Sequence, residues 1–507
     1  MQRKIIIPLL ATALCFGGCS KASFPTENSS EVVEESIDNT SVVAIEEDSK
    51  TYTCDEGDSH AIEVDGEKKS YQNISVEKTG DSEGDEADFF GSNAAVFAQN
   101  GAELTISNAQ INTNGKHANA VFSYGEGTVI NISDSKINTE QPNSGGVMVT
   151  GGGTLNATNL TVTTRAGSSA PIRSDRGGGQ LNVEGGDYKS YGSGSPAIYS
   201  TADITVEDAT LYADVAEAIV VEGKNSVTIT NSDVTGNNTI HNSDKADVYR
   251  NVMIYQSMSG DSEEGKGEFT MTGGSLTSKN GGMFFVTNTI ADINLENVAM
   301  NYATDDLLRI EKAGWGNDGS NGGQVTFSTT KQSLEGNITV DDISTLNMYL
   351  KDNSSFEGSI TAAGKSYIEL DNDSTWTLTG DSEVTALTCD EDAINLNGYT
   401  LKVNGNVYEE GTAYSGEKIE IIAPASSGMG QMPPEGDKGQ QPPEGMVPPK
   451  DGKQPPEKPD GMNVGEQPPE KFGGNGDAEP PKKPDGNGPS GILERPDGNV
   501  APPDKPK

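Results

Sequence analysis

The sequence predicts an all-β fold, specifically a right-handed, single-stranded parallel β-helix with three short strands in each coil. Only 32% of the 507 residues are hydrophobic and 6% are aromatic, which is too little apolar material for a thick multilayer core. Turn residues of one kind recur at a nearly constant spacing through the middle of the chain. Apolar residues keep fixed positions relative to those turns, so each coil would add one layer to a core that is one side chain deep.

Residues 1–18 are predicted to be a bacterial lipoprotein signal peptide. A basic start precedes an apolar run, residues 5–16, which is too short to span a bilayer. Two glycines and Cys19 follow, and this ending resembles a lipoprotein signal, in which the cysteine is diacylated and becomes the first mature residue. Cys19 is therefore the predicted lipidation site, and its acyl chains would anchor the mature protein to a membrane outside the cytoplasm. The alternative is a plain secretory signal that is cut near the same place.

Composition divides the rest of the chain into three zones. Residues 19–50 are rich in Glu, Ser, Asn and Asp, and predict a flexible acidic tether. Residues 51–423 alternate apolar and polar positions and form the predicted β-helix domain. Residues 424–507 contain 20 of the 25 prolines and predict a disordered tail rich in Pro, Gly and Glu.

The β-helix prediction depends on a repeated turn. Its key position is always Asn, Asp or Gly, the residues that adopt a left-handed backbone at the lowest cost. Successive turns are separated by 23 to 26 residues, with one longer interval of 42. The turn residues are Asn108, Asp134, Asn159, Gly185, Asp208, Asn231, Gly273 and Asn297.

Apolar columns flank that turn in every unit. Residues two and four positions before it, and three positions after it, are almost all apolar, which predicts two strands with one inward face each. The column four before the turn is Leu104, Ile130, Leu155, Leu181, Ile204, Val227, Phe269 and Ile293. A third strand follows, and with less regular coils at both ends the domain would contain about ten to twelve coils. A leucine-rich repeat has the same period, but its Leu-dominated pattern and helical segment are missing.

Charge excludes several classes of function. The formal net charge of −42 would repel nucleic acid and anionic lipid, so contact with a membrane is expected through the lipid anchor only. Only three His are present, and His117 and His241 are expected at the surface or in turns. The protein is expected to be a monomer. Cys54 and Cys389 would lie near opposite ends of the domain, too far apart for a disulfide bond.

The outward positions of the third strand carry the candidate binding residues. Aromatic, apolar and Arg side chains recur there, in the order Phe97, Phe122, Met148, Arg173, Tyr199, Val220, Ile254, Phe284 and Arg309. One explanation is a covering loop, such as the insertion between Asn231 and Gly273 or the segment 301–323. The other is a platform for an extended polymer, with rings stacked on aromatic faces. The predicted ligand-binding face is Phe97, Phe122, Tyr124, Arg173, Asp175, Arg176, Tyr199, Phe284 and Arg309.

The coils also resemble a known family. Residues 119–125 (NAVFSYG) and 172–179 (IRSDRGGG), with the Pro-rich tail, are similar to exported carbohydrate-binding β-helix proteins of clostridia. That family has the pectate-lyase-like fold, and the resemblance covers roughly residues 55–445. It implies calcium-assisted binding of an acidic plant polysaccharide.

An acidic cluster provides a candidate calcium site. Asp81, Glu83, Asp85, Glu86 and Asp88 fall within eight residues, and hard cations such as calcium prefer oxygen ligands. Calcium could also bridge so acidic a protein to a polyuronate. The alternative is a solvated acidic loop, because the spacing lacks the pattern of an EF-hand.

These observations favour a non-catalytic, membrane-anchored surface lipoprotein that binds a polysaccharide. The main alternative is an adhesin-like or structural rod whose face docks a protein or a cell-envelope polymer. A polysaccharide lyase is less favoured, because the single cluster of Arg173, Asp175 and Arg176 is equally well explained by a surface salt bridge. Trp315 could stack on a sugar or cap the apolar groove.

Overall fold

The computed structural model describes residues 45–46, 49–84 and 86–424, all within one compact unit. The predicted signal peptide with Cys19, most of the tether, Asp85 and the tail from residue 425 lie outside the described residues.

The described chain is almost entirely β-structure arranged in three sheets, with one short helix, Glu86–Phe90. The first sheet contains Ile45–Glu46, Thr51–Cys54, Lys68–Gln72, Ser75–Lys78, Glu103–Ser107, Gln110–Thr113, Val129–Ser133, Lys136–Thr139, Gly153–Thr164, Gly179–Ser190, Asp203–Glu207, Thr210–Ala213, Ser226–Thr230, Asp233–Gly236, Lys266–Thr272, Ser275–Ser278, Ile290–Glu296, Ala299–Asn301, Gln324–Thr330, Thr345–Lys351, Lys365–Leu370, Ala386–Cys389 and Tyr414–Ser415. The second sheet contains Ile62–Asp65, Val96–Gln99, Val121–Tyr124, Val147–Thr150, Ile172–Ser174, Ile198–Ser200, Ile219–Glu222, Arg250–Tyr255, Gly282–Thr287, Asp306–Ile310, Asn337–Val340, Ile360–Ala362, Ser382–Val384, Leu401–Val403 and Asn406–Val407. The third sheet contains Ser333–Glu335, Ser355–Gly358, Thr375–Leu378 and Ile394–Asn395.

Except near the C-terminal end of the described chain, strands pair in parallel with the equivalent strand of the next repeat. Leu104 pairs with Ile130, Ile130 with Leu155, and Leu155 with Leu181, so the predicted column is in register across the first sheet. Two antiparallel pairings, formed by Asn406–Val407 and Tyr414–Ser415, occur near the C-terminal end of the described chain. These long parallel sheets are compatible with the predicted β-helix.

The repeated turn has the backbone conformation that its residue types predict. All eight turn residues have positive φ, between 49° for Asp134 and 68° for Gly185. At six of the eight turns two separate strands flank the turn, as in Glu103–Ser107 and Gln110–Thr113, whereas Gly153–Thr164 and Gly179–Ser190 run as single strands through Asn159 and Gly185. The predicted position of the turns is therefore confirmed.

The predicted apolar columns form one continuous hydrophobic core. Every member of the column four before the turn has no exposed surface, from Leu104 to Ile293. Parallel stacking places equivalent side chains about 4.8 Å apart, so each buried residue packs on its counterparts in the neighbouring repeats. Cys54 and Cys389 are free thiols.

Candidate ligand-binding site

The outward positions of the second sheet form a single ladder, called here the outer ladder. Its members pair in register from one strand to the next, so they lie in one row across the sheet. They are Phe97, Phe122, Met148, Arg173, Tyr199, Val220, Met253, Phe285 and Arg309.

The sequence-based register is wrong by one residue in two of these strands. Met253 and Phe285 continue the outer ladder, in place of the predicted Ile254 and Phe284. Phe284 points into the core, where its ring centroid lies 6.0 Å from that of Phe269. Phe284 is therefore not a ligand-binding residue. The error has a physical cause: both faces of these strands are apolar, so alternation does not reveal which face points inward.

The first part of the outer ladder is covered. The segment that follows the helix Glu86–Phe90 lies over this part, where Ala94 packs with Phe97, Phe122 and Met148, which are 4%, 0% and 0% exposed. A Cβ atom on Gly91 would lie 2.6 Å from Phe97 and 2.8 Å from Phe122, which shows how closely the cover approaches. Phe97 and Phe122 were predicted to contact a ligand, but in the structure they are buried beneath this cover and pack against it.

The helix is also attached at its far end. Thr150 Oγ1 donates a hydrogen bond to the Phe89 carbonyl oxygen at 2.7 Å. Phe90, which is exposed, packs edge-on against Tyr124 with ring centroids 5.9 Å apart. Tyr124 is half-buried beside this cover and does not line the cavity described below.

A second cover lies over the later part of the ladder. Trp315 packs on Val220, Met253 and Phe285, together with residues of the insertion that follows the strand Asp233–Gly236. Trp315 is 7% exposed, so it caps the apolar groove, as one of its two sequence interpretations proposed.

Between the two covers the ladder opens into a polar cavity, called here the pit, with a volume of about 330 Å³. Arg173, Asp175 and Tyr199 contribute to its lining. Asp88 and Phe89 approach from the first cover, and Tyr255 ends the strand Arg250–Tyr255. The remaining lining residues come from loops: Asn143, Ser168, Ala170, Gly194, Pro196, Asn242 and Asp261.

One guanidinium group lies between two carboxylates in the pit. Arg173 Nη2 donates a hydrogen bond to Asp175 Oδ2 at 2.8 Å, and its Nη1 lies 3.6 Å from Asp88 Oδ1. Arg173 Nη1 also donates to the Ser168 carbonyl oxygen at 3.1 Å. The side chains of Arg173, Asp88 and Asp175 are 11%, 7% and 5% exposed. The cluster is therefore a nearly buried salt bridge, in contrast to the surface pair that the sequence suggested.

The two carboxyl groups have different surroundings. Asp88 also contacts His117 Nδ1 at 2.9 Å and accepts a hydrogen bond from Asn119 Nδ2 at 3.3 Å. Burial would raise the pKa of Asp88, but Arg173 and His117 together outweigh burial and hold it below its usual value. Burial raises the pKa of Asp175 to about 7, because Arg173 only partly compensates for it. Asp175 therefore changes charge near neutral pH.

A third buried carboxyl group, that of Glu222, lies beside the pit. Glu222 is 1% exposed and accepts hydrogen bonds from the Tyr199 and Tyr255 hydroxyl groups, at 2.6 and 2.8 Å, and from Ser257. Burial and the nearby Glu222 raise the pKa of both tyrosines well above its ordinary value. The two phenols are thus held as neutral hydrogen-bond donors.

The rim of the pit joins the first cover to the loop after Tyr255. Arg176 lies 3.8 Å from the centroid of the Phe89 ring, and its Nε donates to Asp261 Oδ1 at 2.8 Å. Arg309, the other predicted basic ligand residue, lies outside the pit and pairs with Glu311 at 3.1 Å. The pit therefore collects Arg173, Asp175 and Tyr199, with Arg176 at its edge.

The described members of the predicted calcium cluster do not converge. Asp81 Oδ1 accepts a hydrogen bond from the Lys116 backbone N–H, and Glu83 lies 3.6 Å from the Lys116 ammonium group. Asp88 turns away from them into the pit. In the part of the chain that the structure describes, no three His, Cys, Asp or Glu side chains are placed to hold a metal ion. The described residues Asp81, Glu83 and Asp88 are therefore not gathered around one point, and calcium binding stays a prediction.

Sequence reasoning missed several residues of this site. His117 has the turn conformation expected of it, with φ of 56°, but its side chain is 11% exposed and holds Asp88. Tyr255 would have been found with the correct register, because it pairs directly with Glu222. Asp261 lies in a loop whose sequence gives no signal of its partner.

In comparisons with known proteins, no protein-family model, curated protein or solved structure matches this chain. In the described part of the chain, no helix has the length and apolarity needed to cross a bilayer.

Proposed function

We propose that this chain is a cell-surface lipoprotein, anchored through Cys19, that binds a polysaccharide at the pit. Its body would be a right-handed parallel β-helix of about ten to twelve coils with three strands each. The observation that supports the binding proposal is the polar pit itself. It lies between the two covered parts of the outer ladder and is lined by Arg173, Asp175 and Tyr199. The family resemblance of the coils supports the same class of ligand.

The chemistry of the pit suits a sugar. The Asn242 side-chain amide can bind sugar hydroxyl groups, and so can the Asn143 carbonyl oxygen and the Tyr255 hydroxyl oxygen as acceptors, since the Asn143 amide nitrogen contacts His117 and the Tyr255 hydroxyl donates to Glu222. The face of the Phe89 ring opposite Arg176 can stack on a sugar. Its volume of about 330 Å³ is at the lower end of the range of roughly 300–1,000 Å³ for small-ligand pockets. We therefore propose that one sugar unit enters the pit, while the remaining polymer lies across the rim.

The proposed role is binding without catalysis. A lyase of the pectate type would need Arg173 as a base, and a base must release its proton near the working pH. Burial would lower the pKa of Arg173, but Asp88 and Asp175 outweigh burial and raise it above its already high value. This direction opposes a role as a base. Incubation with polygalacturonate and calcium should give no unsaturated product by ultraviolet absorbance, and its appearance would contradict the proposal.

A second candidate is a structural or adhesin-like rod that docks a protein or an envelope polymer. The burial of Phe97 and Phe122 favours it, because the aromatic platform expected for a polysaccharide is covered. The two functions differ in whether the pit has a small ligand.

A glycan array, read with and without calcium, tests the binding proposal. We expect a saccharide hit that weakens about five- to tenfold in Asn242→Ala, since one lost hydrogen bond is worth about 1 to 1.5 kcal/mol. Asn301→Ala, which changes an exposed Asn of the first sheet, is the matched control and should bind normally. Absence of any hit, with or without calcium, would favour the rod.

Two further parts of the proposal have separate tests. Cys19→Ser should move the protein from the membrane fraction to the soluble exported fraction, because it removes the acyl chains that anchor the protein. Calcium assistance predicts heat on titration with calcium and a lower melting temperature in chelator; absence of both would remove calcium from the proposal.

A further inference from the structure

The charge balance of the pit depends on one guanidinium group and two carboxyl groups. Arg173 carries one positive charge, and Asp88 and Asp175 can carry two negative charges between them, all with side chains no more than 11% exposed. Water screens such buried charges poorly, so one proton changes the potential of the pit strongly. The group that accepts this proton therefore decides whether an anionic ligand can approach.

Asp88 is the poorer proton acceptor of the two. It contacts Arg173, His117 and Asn119, so three groups stabilise its charged form. Asp175 is bonded to Arg173 alone among charged groups of the described chain, and it faces two other carboxylates, Asp88 and Asp261. Burial and these like charges both favour its neutral form.

The charged and titratable groups that act on Asp175 come from several elements. Arg173 lies in the strand that ends just before Asp175, Asp88 on the helix of the first cover, Asp261 on the loop after Tyr255, and Tyr199 on the next strand. Tyr199 stays neutral as a hydrogen-bond donor to Glu222. Asp261 is already paired with Arg176, so its charge is partly compensated.

We propose that the protonation state of Asp175 decides whether the pit binds an anionic saccharide. The neutral form of Asp175 lets Arg173 bind a carboxylate of the saccharide, and the ionised form excludes that carboxylate. With Asp175 ionised, the guanidinium is neutralised by two carboxylates and an incoming anion meets net negative charge. With Asp175 protonated, one negative charge is lost and an Arg173 N–H can turn to the ligand in a charge-assisted bond. The inference rests on the proposed saccharide-binding function and adds its regulation.

The test uses trigalacturonate and its neutral counterpart, a galactose trimer, in titration calorimetry with the full exported chain. Measurements at about pH 5 and about pH 9 bracket the transition of Asp175 near pH 7, and the uronate carboxylates are ionised at both. We expect trigalacturonate to bind at least about tenfold more tightly at the lower pH, since a charge-assisted bond is gained. The galactose trimer should bind equally at both.

Asp175→Asn provides the decisive variant, because it is neutral at every pH. It should bind trigalacturonate at about pH 9 as tightly as the natural chain does at about pH 5. Asp261→Asn, which changes the rim carboxylate, should keep the pH dependence. A pH-independent uronate affinity in the natural chain, or a pH dependence that persists in Asp175→Asn, would overturn the inference. Binding of the neutral trimer alone would refute this role of Asp175 while leaving the proposed function intact, and no binding of either trimer would count against both.

Discussion

Replacing Arg173 with Met should destabilise the protein strongly, and most strongly at alkaline pH. The variant keeps an unbranched apolar side chain in place of the aliphatic part of Arg173 but removes the cation that lies 2.8 Å from Asp175 and 3.6 Å from Asp88. Removing one partner of a buried ion pair typically costs about 3 to 5 kcal/mol, because the other charge is left uncompensated. Here two carboxylates are left, so we expect that range at about pH 8. The loss should shrink at about pH 5, where Asp175 can accept a proton.

Arg309→Met is the matched control. Arg309 occupies the same outer ladder and also contacts two carboxylates, Asp306 at 3.5 Å and Glu311 at 3.1 Å. Its side chain is 31% exposed, however, compared with 11% for Arg173. Exposed ion pairs contribute about 0 to 1 kcal/mol, so this variant should lose less than about 1 kcal/mol.

The assay is urea denaturation followed by circular dichroism at both pH values. The reasoning predicts a large loss for Arg173→Met that depends on pH, and a small loss for Arg309→Met that does not. Equal losses in the two variants would refute the claim that Arg173 compensates buried charge. If Arg173→Met lowers the free energy of unfolding strongly and equally at both pH values, the loss comes from packing and not from charge.

Two further predictions concern the pit and its cover. Because the pKa of Asp175 is raised from 3.8 to about 7 in the folded protein, its stabilising contribution is full below about pH 4 and is lost as pH rises through about 7. The free energy of unfolding, measured by urea denaturation, should fall by up to roughly 4 kcal/mol over this pH range. Asp175→Asn should make it nearly independent of pH, and a pH dependence equal to that of the natural chain would contradict the raised pKa of Asp175. Gly91→Ala should cost about 1 to 3 kcal/mol more than Gly101→Ala, since both glycines have positive φ but only at Gly91 would the new Cβ collide with Phe122. Denaturation of both variants measures the difference, and similar losses would show that the cover is loosely packed.

The repeat was predictable because every unit has the same turn conformation and the same inward-facing positions. A turn that needs positive φ selects Asn, Asp or Gly, and Asn108 and its equivalents have that backbone conformation. An inward column must be apolar in each repeat, so Leu104 and its equivalents are marked by spacing alone. Such signals are short in range and repeated, which makes them readable without knowledge of the tertiary structure.

The pit was only partly predictable because its contacts are long in range. Arg173 lies in the strand Ile172–Ser174 and Asp175 directly follows it, so the two were found together, but Asp88 comes from a helix that the repeat does not contain. In the sequence Asp88 stands among other acidic residues, so the local pattern suggested a cation site and not a partnership with Arg173. The position of Phe284 was missed for a related reason: the cover makes the outer face of its neighbours as apolar as the core.

The distribution of residues along the outer ladder explains where the pit lies. Each cover packs where the ladder is apolar, over Phe122 and its neighbours on one side and over Phe285 and its neighbours on the other. A nonpolar cover over Arg173 would bury its charge without added hydrogen bonds, which is unfavourable. The chain instead brings Asp88 to Arg173 from the edge of the first cover and leaves the space above them open. The interruption of an apolar row by one Arg therefore accounts for both the gap between the covers and the chemistry at its base.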